Sequence, residues 1–107
     1  MKVIEVTGKN IDNWDWSDNI ADVINLWDGK EIEAEWLTDK IKTGKVAVVS
    51  LSSTVKKNDI ETLLNNNFEV LAMPVADFKR FKSYYEKIQV EKVSISKTRQ
   101  YKLFTFF

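Results

Sequence analysis

The chain predicts an α+β fold, a single domain over residues 1–107 in which three helices pack on a mixed β-sheet of about five or six strands. Three observations carry this expectation. Short β-branched runs alternate with stretches of 3.6-residue apolar period. A length of 107 residues suits one domain. The elements follow one another as β-α-β-β-α-β-α-β-β, without an internal repeat or a low-complexity linker. Hydrophobic residues make up 44% of the chain and it holds 4 Trp, 3 Tyr and 6 Phe, enough to build a core and to exclude disorder.

Lys2 to Thr7 alternates as a first strand, and Gly8-Lys9-Asn10 opens a loop. Ser17 is placed to cap a helix running to about Asp28, where Gly29 stops it. Ile20, Val23, Ile24 and Trp27 fall at i, i+3, i+4 and i+7 of that helix and face the core, while Asp18, Asp22 and Asn25 point outward. Glu31-Ile32-Glu33-Ala34-Glu35-Trp36 alternates strictly. Read as a half-buried strand, it puts Ile32, Ala34 and Trp36 on the core side and three glutamates on the other.

After a turn near Thr43-Gly44, the continuous run Val46 to Leu51 reads as the central strand, covered on both faces. Asn58 with Glu61 resembles a capping box for a short helix with Ile60, Leu63 and Leu64 inside, ending at Asn65-Asn66-Asn67. Phe68 to Met73 forms the next strand, so residues 45–73 make one βαβ unit with parallel strands. Pro74 breaks into a third helix in which Phe78, Phe81, Tyr85 and Ile88 face inward and Lys79, Arg80, Ser83 and Lys87 face out. Glu91–Lys97 and Gln100–Phe106 then read as a closing hairpin around a four-residue turn.

Charge is the strongest functional signal. The net charge is zero, yet residues 1–39 hold three lysines against ten acids, a net −7, and residues 40–107 carry the balancing +7. All four tryptophans (Trp14, Trp16, Trp27, Trp36) lie in the acidic part. Trp27 and Trp36 stand on apolar faces and read as core, whereas Trp14 and Trp16 lie in a loop among Asp12, Asp15 and Asp18. Aromatic anchors surrounded by carboxylates suit a basic partner: the indole supplies buried area and a cation–π face, and the carboxylates steer and pair with Arg or Lys. The plainer reading of the glutamate stripe is a solvated face.

Many catalytic and cofactor chemistries are excluded by residue type. The chain has no His and no Cys, so it lacks an imidazole base, a thiolate nucleophile and the usual zinc ligands. Only 3 glycines are present, and Ser50 to Lys57, which leaves a strand toward a helix, has none of those a phosphate loop requires. No cofactor and no metal site are expected. The longest apolar run, Val70 to Ala76, includes Pro74 and is far shorter than the ~20 residues that span a bilayer, so no membrane association is expected either. Glu5 stands where a signal peptide would be apolar, which favours a cytoplasmic location.

The leading expectation is a non-enzymatic protein-binding module. Its style is that of an inhibitor or immunity factor, as in toxin–immunity pairs or phage proteins that disarm host enzymes, an analogy at the level of architecture and charge. Its partner would be a basic protein such as a nuclease or another nucleic-acid-binding enzyme. Trp14, Asp15, Trp16, Asp18, Asp22, Glu31, Glu33 and Glu35 form the candidate partner-binding set, with the carboxylates mimicking phosphates. A second reading is a nucleic-acid-binding accessory protein that uses Lys79, Arg80, Lys87, Arg99 and Tyr101. A third is a metal-dependent enzyme built on paired carboxylates, for which no spacing speaks.

Overall fold

The β-branched run Val46-Ala47-Val48-Val49-Ser50 forms a strand whose every residue is buried, and the other elements assemble around it. The computed structural model describes residues 1–13, 29–51, 55–93 and 104–106. In chain order these give β1 (Lys2–Val6), a 3-10 turn (Ile11–Asn13), β2 (Lys30–Glu31), α1 (Ala34–Thr43), β3 (Val46–Ser50), α2 (Lys57–Asn65), β4 (Glu69–Met73), α3 (Val75–Val93) and β5 (Phe104–Phe106). The expected helix from Ser17 to Asp28 lies outside the described residues.

Four strands form a mixed sheet in the order β1-β4-β3-β5, and the two-residue β2 extends it beyond β1. Among the described residues, four strands and a two-residue bridge thus stand where about five or six strands were expected. β3 runs parallel to both β4 and β5, with Val46 opposite Glu69 on one side and Phe104 on the other. β1 is antiparallel to β4, pairing Ile4 with Ala72. The β3-α2-β4 unit is the parallel unit read from residues 45–73.

Because side chains alternate across a strand, each β3 neighbour feeds a different layer. Ala47 and Val49 join Ile4, Val6, Val70 and Ala72 under Ile60 and Leu63 of α2. On the opposite face Val46 and Val48 join Val3, Leu71 and Met73 under Leu37 and Ile41 of α1 and Phe78, Phe81 and Tyr85 of α3. Phe81 is fully buried there, and burying a side chain of its size stabilises the fold by roughly 1.5–3 kcal/mol. The result is an α+β domain in which, among the described residues, one helix lies on one face of the sheet and two on the other.

Three local expectations are corrected. The alternating segment Glu31–Trp36 is not a strand: only Lys30 and Glu31 pair with β1, and a helix begins at Ala34. Extending the window shows why, since Ala34, Leu37, Thr38 and Ile41 fall at i, i+3, i+4 and i+7 and face inward in the half-buried to buried classes. Ala, Glu, Leu and Lys also favour helix intrinsically. Glu35 in the first turn and Lys40 and Lys42 in the last complement the helix dipole.

The Glu91–Lys97 strand is likewise not formed at its start, because α3 continues through Val93. No Gly or Pro after Pro74 interrupts that helix. Phe104–Phe106 therefore does not close a hairpin onto a strand containing Val93; it pairs parallel to β3. The third correction concerns the capping box. α2 starts at Lys57 with Lys56 at the cap position and no side-chain cap, and Asn58 lies inside the helix, where its carbonyl accepts from Thr62 Oγ1 at 2.8 Å.

The end of α2 falls where the three asparagines placed it. Asn67 adopts φ 66°, the left-handed region that Asn tolerates better than other non-glycine residues. The Phe68 N–H donates to Leu63 O at 3.0 Å and the Asn67 N–H to Leu64 O at 3.1 Å. This paired pattern caps the last carbonyls and turns Phe68 back against the α2 core.

Candidate partner-binding surface

The candidate surface is built by the chain segment that leaves β1, returns at β2 and enters α1. After β1 the Asn10 side chain holds the turn. Its Oδ1 accepts from the Thr7 N–H at 2.8 Å and its Nδ2 donates to Glu5 O at 2.9 Å. This carries Ile11 into the core and leaves Asp12 and Asn13 exposed. Asp12 reaches Lys57 at the start of α2, 2.5 Å from carboxylate to ammonium. That hydrogen bond is the chief reason the Lys57 amine is held above its ordinary value of 10.5; desolvation opposes it, and charge attraction from Asp12 and Glu61 adds to it.

At the return, β2 lies beside the start of β1. Glu31 Oε2 receives the Met1 ammonium at 2.9 Å, and the same ammonium reaches Ile32 O at 3.2 Å. Glu33 occupies the cap position of α1 in extended conformation without a side-chain cap bond, and Glu35 lies in the first turn. All three glutamates are exposed, as a solvated stripe requires, but a helix start rather than one strand face presents them. Among the described residues no cation pairs with Glu33 or Glu35.

Trp36 is the principal surprise. Expected in the core, it is 48% exposed, because on the α1 helix it lies off the stripe occupied by Leu37 and Ile41. Lys40, one turn later, sits with its ammonium 5.1 Å from the indole centroid and 3.1 Å from Glu69 Oε2. The helical rather than strand period would have revealed this exposure, since residues 36 and 40 share a face and residues 37 and 41 share the next.

Trp36 and Lys40 wall a groove of about 700 Å³ over the part of the sheet that α1 leaves uncovered, with Val3, Glu5, Glu69 and Leu71 beneath. Asn13 and Gly29, the described residues on either side of 14–28, both line it. Trp14, Asp15, Trp16, Asp18 and Asp22 themselves lie outside the described residues. A second depression of about 510 Å³ lies on the other side of the α1 start, between Glu31–Glu35 and the Arg80, Phe81 and Tyr84 positions of α3.

The basic candidates divide in the same way. Lys79, Arg80 and Lys87 are exposed on α3, as their helical spacing requires. Arg80 is bound to Asp77, whose other carboxylate oxygen accepts from the Lys2 N–H at 3.4 Å. Arg99 and Tyr101 lie outside the described residues. Among the described residues no three carboxylates gather as a metal site, and no helix is long and apolar enough to cross a membrane.

No protein family, curated protein sequence or solved structure matches this chain.

Proposed function

We propose that this chain is a small non-enzymatic binding module, an inhibitor or immunity-type factor that acts in the cytoplasm on a basic, nucleic-acid-handling protein. Its acidic, tryptophan-containing N-terminal surface engages the partner. The observation that supports this reading is at α1: Trp36 is exposed in a groove that Glu5, Glu31 and Glu69 also line, and Asn13 and Gly29, which flank the acidic stretch in sequence, line the same groove. An exposed indole in a groove that carries carboxylates offers buried area for affinity and a negative field for fast association. Asp15, Asp18, Asp22, Glu31, Glu33 and Glu35 stand in for phosphates, and Trp14, Trp16 and Trp36 anchor. The pairing of Asp12 with Lys57, and of Glu31 with the Met1 ammonium, weakens this field at two acids.

Affinity capture on the immobilised chain tests the reading. Wild type retains a basic nucleic-acid-handling protein at low salt and releases it at high salt, while the Asp18→Lys, Asp22→Lys variant retains far less. The same proteins held equally by both columns would reject it.

A second reading, a nucleic-acid-binding accessory protein, draws on the exposed Lys79 and Lys87 of α3, together with Arg99 and Tyr101. It requires an oligonucleotide to bind at low salt and to be released when Lys79 and Lys87 become Ala. The Asp77 carboxylate already engages Arg80, which makes that residue a weaker phosphate ligand.

A further inference from the structure

We infer that the depression between the start of α1 and α3 seats an apolar side chain of the partner, on a segment whose neighbouring residues are Lys or Arg. The inference rests on the reading proposed above and assigns it a docking place. The floor is apolar, formed by Met1, Ile32 and Ala34 with Phe81 and Tyr84 of α3, and it has room for a side chain at about 510 Å³. These residues are half-buried except Phe81, which is fully buried, so the floor is continuous with the folded core.

Charge complementarity selects the occupant. Among the described residues, four charged groups besides the N-terminus border the depression. Glu31 is taken by the Met1 ammonium and Arg80 by Asp77. Glu33 and Glu35 remain, both exposed and without a cation among the described residues. An acidic segment is repelled there, and a neutral one leaves both carboxylates to water. A basic amphipathic segment places its apolar side chain on the floor and its cations at the rim.

The test is a titration of the 15N-labelled full chain at low salt with three probes: a short peptide alternating Leu and Lys, its counterpart with Glu in place of Lys, and a single-stranded oligonucleotide. The Lys peptide is expected to shift the resonances of Ala34, Glu35 and Tyr84, and the Glu peptide to shift none. The double variant Glu33→Gln, Glu35→Gln should bind the Lys peptide about tenfold more weakly, from the loss of two exposed charge pairs. Both positions are exposed, and the variant's own spectrum verifies its fold. Shifts confined to Asn13, Gly29 and Trp36 would overturn this site and leave the acidic-surface reading standing. Shifts at Lys79 and Lys87 with the oligonucleotide, and none with the peptide, would overturn both. A concentration-dependent doubling of mass that moves Ala34 without any peptide would give the depression to a second copy and refute the inference, as would a Lys peptide that moves nothing.

Discussion

Single side chains show how closely this fold separates structure from surface. Trp36 and Leu37 are adjacent in the chain, yet the first is 48% exposed and the second fully buried. Leu37→Ala should therefore cost about 2–5 kcal/mol in urea unfolding, and Trp36→Ala less than about 1 kcal/mol. The reverse order would place Trp36 in the core after all. Asn67 offers a backbone test of the same kind. Its φ of 66° strains a residue with a β-carbon, so Asn67→Ala should lose about 1 kcal/mol, whereas Asn67→Gly should be neutral or slightly stabilising.

Lys57 supplies a pH prediction whose sign follows from its partner. Its amine is raised in the folded state, chiefly by the hydrogen bond to Asp12, so the stabilisation is fully present below the ordinary value of 10.5 and fades as pH rises through the folded value. Unfolding midpoints measured across pH about 9 to 12 should fall more steeply for wild type than for Lys57→Met. Parallel curves would show that the pair adds nothing.

At the scale of elements, the strands and helices with long, unambiguous periods were legible in the chain. β1, β3, α2, β4 and α3 occur where apolar spacing placed them, and the asparagine triplet marks the end of α2. The misplaced elements have a common physical origin: two segments satisfied two periods at once. Ile32, Ala34 and Trp36 alternate like a strand, but Ala34, Leu37 and Ile41 share a helix face, and the helix wins because it buries Leu37 and Ile41 completely against the α3 layer. Val93 and Ile95 alternate with polar neighbours too, yet without a breaker the long α3 continues through Val93. Part of the surface was misread for the same reason. The glutamates are exposed as read, while Trp36, read as core, is exposed on α1.

For the whole molecule, the unequal lengths of the sheet partners matter most. β3 is an apolar strand buried along its full length, and its outer neighbour among the described residues is the three-residue β5. Removing residues 104–107 would bare the backbone groups of that strand. The truncated chain should aggregate, seen as high-mass species in size exclusion with light scattering. A monomer with an unchanged melting temperature would show that β5 contributes nothing to the edge. The charge halves behave differently from a simple dipole. Asp12 of the acidic part pairs with Lys57 of the basic part, and Arg80 of the basic helix borders the same depression as Glu33 and Glu35.

From the amino-acid order alone follow the α+β class, the parallel unit around β3, the apolar faces of α2 and α3, and the uneven distribution of charge along the chain. These depend on local period and on composition, which neighbours in sequence suffice to express. Tertiary structure alone decided that Glu31–Trp36 splits between a bridge and a helix, that Phe104–Phe106 joins β3, and that an indole faces solvent. Each of those outcomes turns on which distant apolar surface a segment covers, and the free energy of that burial exceeds the small local preferences a single window records.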